Sequence, residues 1–234
     1  NRPLGNSVAV PSETVINQAS DLIVASEKPL IIAGAVGQRL QANEVLGSLA
    51  EKFALPVIQV GGPSLLSDHP MNLGYAVGEY LPDSDLVLVI ESAVPWIPRN
   101  TEPNKKAKLI HLSPDPNYSG LPYRGFEMDL AISGEPLQSI ELIEEALRSR
   151  TDLNRGNIKA RYSKIEALHN EYLIKKNKVM KSAEADTPIS ASWVAACLNK
   201  VKADDSIIVS ELGINVDHID YQVPGTIVSG AQAG

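Results

Sequence analysis

Several residue types and patterns are scarce in this sequence. Cys197 is the one cysteine in 234 residues, which rules out an internal disulfide or a cysteine-ligated metal cluster and is typical of a cytoplasmic compartment. No apolar run approaches the ~20 residues that a membrane-spanning helix needs, so no membrane partner is expected. The net charge of -7 disfavours nucleic acid as a partner, because phosphate backbones select basic surfaces.

Catalytic motifs are missing as well. The sequence GAVG at 34–37 lacks the central glycine of the dinucleotide fingerprint GxGxxG. A P-loop lysine pattern and a GxSxG nucleophile elbow are also absent. The four histidines have no metal-ligand spacing, so no zinc site is expected. Motif chemistry alone predicts no catalytic centre.

The ends of the chain lack closing elements. Asn1 is not an initiator methionine, and the chain ends at 230–234 in the sequence GAQAG. We expect a piece of a longer protein.

The clearest positive signal is the stretch 29–37. Its apolar run ends at Gly34, which is typical of a strand buried on both faces of a parallel sheet. Gly34 would lie at the carboxyl end of that strand, where open α/β sheets bind ligands. Four further apolar runs follow at intervals of 20 to 30 residues, at 55–60, 85–90, 108–112 and 130–132. With helices or long loops between them, they predict a parallel α/β sheet with right-handed crossovers.

Helical patterns surround these strands. Ser12 is the predicted N-cap of a first amphipathic helix. A second is predicted over 42–53, and a third begins at Pro136. The polar segment 157–183 predicts a long, mostly solvated linker helix. We therefore predict a central α/β domain over 1–150, a linker helix over 151–186 and the truncated start of a second α/β domain over 187–234.

Several single side chains have a structural explanation that needs no function. Cys197, on a helix face with Trp193, is expected in a core, and His111 is expected to be packed or hydrogen-bonded. The lysines at 175, 176, 178 and 181 are expected to form a solvated helix face. Trp96, in a proline-rich loop, is either a packing anchor or a pocket wall, and the sequence leaves both open.

Several blocks, in this order, resemble the central domain of thiamine-diphosphate-dependent 2-keto-acid enzymes. KPLIIAG at 28–34 resembles their opening RPvIlaGgG, and LAEKFALPV at 49–57 resembles LAe.lg.PV. SDLVLVI at 84–90 is similar to aDlvLviG, and IHLSPDP at 110–116 is similar to viHid.Dp. The resemblance covers nearly the whole chain, and the nearest members are acetolactate synthase (large subunit)-like.

The resemblance implies a Rossmann-like (DHS-like) central domain followed by the first units of the diphosphate-binding domain. It implies an enzyme that decarboxylates a 2-keto acid and ligates the resulting enamine to a second carbonyl, using thiamine diphosphate and magnesium. The family's activating glutamate and its GDG…N metal motif would lie outside this chain, so the chain alone should be inactive, with no catalytic or metal residue. A homodimer or homotetramer is implied, because family members place the cofactor between subunits.

The resemblance also assigns two sets of cofactor-binding residues. The diphosphate loop would contain Gly213, Ile214 and Asn215. The strand ends of the central domain, which bind FAD or ADP in some members, would contribute Gly34, Ala35, Glu91, Ser92 and Asp115. Whether that nucleotide site is occupied is left open, and Glu91 argues against a flavin because it places a negative charge where phosphates would lie.

Two alternatives accompany this interpretation. One is a thiamine-diphosphate-dependent decarboxylase or aldehyde lyase, such as a benzoylformate decarboxylase-like enzyme. The other, of a different class, is a noncatalytic nucleotide-binding module.

Overall fold

The structure, a computed structural model, describes residues 9–122, 125–210 and 214–229. Its helices and strands in chain order are α1 (Glu13–Ala25), β1 (Pro29–Ala33), α2 (Ala42–Phe53), β2 (Val57–Gln59), α3 (Val77–Tyr80), β3 (Leu86–Ile90), β4 (Lys108–Ser113), β5 (Leu130–Ser133), α4 (Pro136–Arg148), α5 (Arg155–Ser182), α6 (Ala191–Val201), β6 (Ile208–Ser210) and β7 (Ile227–Ser229).

Five strands form one parallel sheet in the order β2-β1-β3-β4-β5. All five residues of β1 and of β3 are buried, as continuous apolar strands between two covered faces should be. The predicted α/β class with a parallel sheet is confirmed. This strand order is one of the common doubly wound arrangements, and its direction reverses between β1 and β3.

Local sequence explains the helix boundaries. The Ser12 hydroxyl accepts a hydrogen bond from the Val15 amide and caps α1, as predicted. Helix α2 ends where Ala54 adopts a left-handed conformation. Helix α4 starts at Pro136 after Glu135, whose carboxylate accepts from the Gln138 amide. Helix α4 contacts both α1 and α2.

Two interpretations of single residues in this domain are settled by burial. Trp96 is 7% exposed and packs edge-to-face on Phe126, with ring centroids 5.1 Å apart, so it is a packing anchor. His111 is buried in β4, as expected of a packed residue.

Helix α5 is mostly solvated, as predicted, with four buried side chains among its 28 residues. Lys176 corrects the expectation of a solvated lysine face. Its side chain is 3% exposed and its ammonium lies 3.2 Å from the Asp220 carboxylate. Because segment 216–221 packs over this turn of α5, one lysine of the cluster is enclosed while Lys175 and Lys178 stay exposed.

The second unit is small. Strands β6 and β7 form a two-stranded parallel sheet, and α6 contributes Ala195 to a minor core with Ile219, Tyr221 and Ile227. Cys197 is exposed, so its predicted place in a core was wrong. Within the described residues nothing packs on that side of α6, where Val201 is 80% exposed.

The two units touch through backbone and side-chain hydrogen bonds. Ser67 donates its amide to the Tyr221 carbonyl at 2.9 Å and accepts the Tyr221 amide on its hydroxyl at 2.8 Å. The Tyr172 hydroxyl of α5 donates to the Asp217 carboxylate at 2.6 Å. The domain boundaries at 150 and 186 stay predictions.

Across the described residues, no helix has the length and apolar character that crossing a bilayer requires.

Asp85 fixes the connection between α1 and β1. Its carboxylate accepts hydrogen bonds from the Ser26 hydroxyl and from the amides of Glu27 and Lys28, the latter two at 2.9 and 3.0 Å. Partial burial raises the pKa of Asp85, but these hydrogen bonds outweigh burial and hold it below its ordinary value.

We expect Asp85→Asn to lower the free energy of unfolding at neutral pH by about 1–2 kcal/mol, because an amide accepts fewer hydrogen bonds than a carboxylate. A lowered folded-state pKa contributes stability above the unfolded pKa of ~3.9, and that stability disappears as the pH falls through the folded pKa. Urea unfolding between pH 7 and pH 3 should therefore show that the difference in free energy of unfolding between wild type and Asp85→Asn becomes smaller in acid.

Asp83→Asn is the matched control, because Asp83 is exposed and lies two residues earlier. If the loss of unfolding free energy caused by Asp85→Asn stays constant across this pH range, the hydrogen-bonding role of the ionised Asp85 carboxylate is contradicted.

Candidate functional site

The carboxyl ends of β1 and β3 meet at the point where the strand order reverses, which is where doubly wound sheets bind ligands. Gly34 and Ala35 follow β1, and Glu91 and Ser92 follow β3. The Gly34 amide donates to the Ile90 carbonyl and the Ala35 amide to the Glu91 carbonyl, both at 2.9 Å. The two amides that could bind an anion at this position are therefore used to join the strands.

Gly34 is required by the chain's own backbone. A Cβ placed on Gly34 would lie 2.4 Å from the Glu91 carbonyl oxygen and 3.0 Å from the Ser92 Cβ. The absence of a side chain therefore serves the close approach of two strand ends.

Glu91 has a positive φ of 48°, which glycine adopts more readily than other residues. Its carboxylate binds the Arg39 guanidinium through two hydrogen bonds, at 2.6 Å to Nη2 and 2.9 Å to Nε. The other terminal nitrogen of Arg39 lies 2.9 Å from the Glu135 carboxylate at the start of α4. We call these three residues the strand-end triad.

The strand-end triad contains one positive and two negative charges, so a net negative charge remains. The Glu91 side chain is 10% exposed, Glu135 is 23% and Arg39 is 35%. The hydrogen bond to Glu91 raises the pKa of Arg39, against the opposing effect of burial. The two bonds to Glu91 form the bidentate geometry that gives arginine–carboxylate pairs their strength, and the same guanidinium also binds Glu135.

Asp115 and Ser92 lie at the same edge of the sheet. Ser92 is buried. The Asp115 carboxylate accepts from the hydroxyl and the amide of Ser119, both at 2.7 Å, so it stabilises the turn that follows β4. These hydrogen bonds, the hydroxyl first, lower the pKa of Asp115.

The strand-end groups that could bind an adenine nucleotide have partners within the protein. The Arg39 guanidinium is bound to two carboxylates, and the strand-end amides bind carbonyls. In this structure Arg39 and these two amides are bound within the protein, and no chemical step is derived through FAD or ADP.

The predicted diphosphate loop is described in part. Gly213 lies outside the described residues, whereas Ile214 and Asn215 precede a short 3-10 helix. The side-chain amide nitrogen of Asn215, Nδ2, lies 3.0 Å from His218 Nδ1. Burial lowers the pKa of His218. Ile214 and Asn215 supply amide groups and no cation, and no step is derived through thiamine diphosphate.

Over 9–122, 125–210 and 214–229, no three His, Cys, Asp or Glu side chains come together in a way that could hold a metal ion. The structure brings Gly34, Ala35, Glu91 and Ser92 together and places Asp115 after the neighbouring strand. The loop at 214–215 belongs to the second unit. The cofactor roles of all eight predicted residues stay predictions.

Arg39 and Glu135 were not found from the sequence. Arg39 is 52 positions from Glu91, so no local spacing links them. The one available signal was Glu135 before Pro136, which marks a helix start and gives no indication of an ion pair.

We expect Gly34→Ala to destabilise the protein by about 2 kcal/mol or more, because the new methyl group would overlap the Glu91 carbonyl. Thermal and urea unfolding measure this. Gly120→Ala is the matched control, since nothing lies within 4 Å of a Cβ there and its φ needs no glycine. Equal effects of the two substitutions would show that β1 and β3 do not meet as described.

A double-mutant cycle with Arg39→Met and Glu91→Gln should give a coupling energy of about 1 kcal/mol, because the pair is bidentate and Glu91 is largely enclosed. The same cycle on Lys108 and Asp129, whose side chains are 54% and 35% exposed, should give less than about 0.5 kcal/mol. A coupling for Arg39 and Glu91 no larger than this control would contradict an enclosed ion pair.

Comparison with known proteins adds family evidence. A 3D-(3,5/4)-trihydroxycyclohexane-1,2-dione hydrolase of Clostridium perfringens is 35% identical over 80 residues, covering 30% of this chain and 12% of the relative. A protein described as a thiamin diphosphate-dependent enzyme from Mycobacterium smegmatis has a similar structure, with a TM-score of 0.67 and 17% identity over 99% of this chain and 44% of the other.

Benzoylformate decarboxylase from Polynucleobacter necessarius has the same TM-score of 0.67, with 15% identity over 97% of this chain and 42% of the other. At these identities the likeness shows the fold. The chain spans less than half the length of these similar structures and about an eighth of the curated relative. Residues 16–143 match the family described as thiamine pyrophosphate enzyme, central domain. Because that segment is more than half of the chain, the chain belongs to this family.

Proposed function

We propose that this chain is the central, noncatalytic part of a thiamine-diphosphate-dependent 2-keto-acid enzyme. The family match over 16–143 supports the cofactor class. The share of similar structures that the chain spans, 44% and 42%, leaves room for the catalytic regions elsewhere in a longer protein. The role of this part is to position those regions.

The strand-end triad is the observation that carries this proposal. A central domain that binds FAD or ADP at its strand ends needs donors aimed at phosphate oxygens. Here Arg39 is bound to Glu91 at 2.6 Å and to Glu135 at 2.9 Å, and the amides of Gly34 and Ala35 bind β3. The phosphate-binding groups at the strand reversal are thus bound within the protein, and in this proposal the domain acts as a scaffold without a nucleotide.

For the whole protein we propose decarboxylation of a 2-keto acid followed by ligation to a second carbonyl, as in acetolactate synthases. Thiamine diphosphate supplies the electron sink for such reactions, and the protein supplies binding and orientation. Magnesium and a homodimer or homotetramer belong to the same proposal. In this arrangement the 214–215 loop would approach the diphosphate, joined to α5 through Tyr172 and Asp217.

Simple decarboxylation is the second candidate, and the fold shared with benzoylformate decarboxylase favours it. The 80-residue similarity to a cyclohexane-1,2-dione hydrolase favours a third reaction, hydrolysis of a carbon–carbon bond in a cyclic diketone. A noncatalytic module is the remaining alternative. The products distinguish all four: an acetohydroxy acid, an aldehyde, a ring-opened acid or none.

The test uses the protein that carries this chain at full length. Thiamine diphosphate with magnesium should bind saturably, and a panel of 2-keto acids beginning with pyruvate should yield carbon dioxide. Product analysis then assigns ligation or simple decarboxylation. The protein should purify without a flavin absorption band and should not bind ADP in calorimetry.

Arg39→Met with Glu91→Gln serves as the control for the scaffold role. Because the strand-end triad holds no ligand in this proposal, the double variant should keep the wild-type affinity for thiamine diphosphate while losing some stability. Absence of thiamine diphosphate binding would overturn the enzyme class. A bound flavin that the double variant loses would overturn the scaffold role and restore the predicted nucleotide site.

A further inference from the structure

A large cavity lies at the opposite end of the sheet from the strand-end triad. It is bounded by the end of α1, the start of β1, the segment between α3 and β3, and the first half of α5. Its volume is about 670 Å³, within the range of pockets that bind drug-sized molecules. Ligands of open α/β sheets bind at the carboxyl ends of strands, so this cavity is outside the site that the fold predicts.

The lining of the cavity is mixed, with apolar and polar side chains in comparable amounts. Ile23, Leu30, Phe53, Leu73 and Ile165 line it, and each is buried in the main core. Leu168, on the next turn of α5, lines the cavity and is 37% exposed. The apolar part of the lining can hold a hydrophobic body.

Arg161 is one of several polar and charged side chains that line the cavity. It donates from Nε to the Ala54 carbonyl at 2.8 Å and from its terminal nitrogens to the carbonyls of Phe53 at 2.8 Å and Ser26 at 3.2 Å. An arginine has five N–H donors, so two remain. Throughout the described parts of the chain, no carboxylate forms an ion pair with Arg161.

A largely enclosed cation without a paired anion is energetically costly. Burial lowers the pKa of Arg161, and the attraction of Asp85 opposes that effect only partly. The carbonyls at the end of α2 supply a partial negative charge. A carboxylate on a bound molecule would complete the compensation, because the guanidinium fork matches carboxylate geometry.

The rim of the cavity limits the charge of its ligand. Lys28 and Lys164 line the cavity together with the exposed carboxylates of Glu27, Glu79 and Asp83. Apart from Arg161, these side chains carry one more negative than positive charge, which disfavours a phosphate or a dicarboxylate with two or more negative charges. A single negative charge at the end of a hydrophobic body fits both the interior and the rim.

We propose that this cavity binds a small hydrophobic monocarboxylate, with its apolar body between β1 and α5 and its carboxylate on Arg161. The site is separate from the strand-end triad and from the 214–215 loop, and it does not depend on the reaction that the whole protein performs. Because Arg161 also joins α5 to the ends of α1 and α2, an occupant would contact all three helices at once.

The test is calorimetric titration of the full-length protein with 4-phenylbutyrate and with its uncharged amide, 4-phenylbutyramide. The acid should bind at least about ten-fold more tightly than the amide, because only the acid satisfies the guanidinium. The probe has no 2-keto group, so catalytic turnover does not interfere.

Leu168→Trp should weaken binding of the acid by about ten-fold or more, since the larger ring fills the mouth of the cavity. Ile174→Trp is the matched control on the same helix, at a position that is 68% exposed and outside the cavity. It should leave the affinity unchanged. Arg161→Gln should bring the acid and the amide to equal affinity, and Arg161→Lys should restore part of the difference.

Equal binding of acid and amide to the wild type would overturn the proposal, as would no binding at millimolar concentrations. Equal responses of the Leu168 and Ile174 variants would place the probe elsewhere and also overturn it. If Arg161→Gln fails to fold, as judged by circular dichroism, the acid–amide comparison and the two tryptophan variants decide the outcome.

Discussion

Five consecutive residues of β1 pair with five of β3, from Pro29 with Leu86 to Ala33 with Ile90. Both strands are buried along their length, so their register cannot shift without moving apolar side chains out of the core. The pairing continues past the strands, where Gly34 lies against the Glu91 backbone. This contact brings Arg39 close enough to bind Glu91, and so determines what the strand-end crevice can hold.

The two ends of the sheet consequently differ in character. At the carboxyl end, the strand-end triad uses the protein's own carboxylates to satisfy an arginine. At the amino end, Arg161 donates to three backbone carbonyls and lines a cavity of about 670 Å³. The arginines at the two ends of the sheet thus have different kinds of partner.

Most of the sheet could be predicted from sequence because buried parallel strands are continuous apolar runs, as in 85–90. Helix α2 was predicted over the same residues, 42–53, because its amphipathic pattern is uninterrupted. Pairings between distant residues could not be predicted. Arg39 with Glu91, Lys176 with Asp220, and the cavity beside Arg161 depend on tertiary packing that no local spacing records. Cys197 was misplaced for the same reason, since an apolar helix face does not show whether another element covers it.

Glu91 has a conformation that usually belongs to glycine, and the motif it replaces has glycine there. The substitution introduces a strained backbone and a negative charge, and Arg39 compensates the charge. In the evolution of this family the two changes should be linked. Relatives that keep glycine at the position of Glu91 have no reason to keep arginine at the position of Arg39, whereas relatives with the acid should have acquired the base.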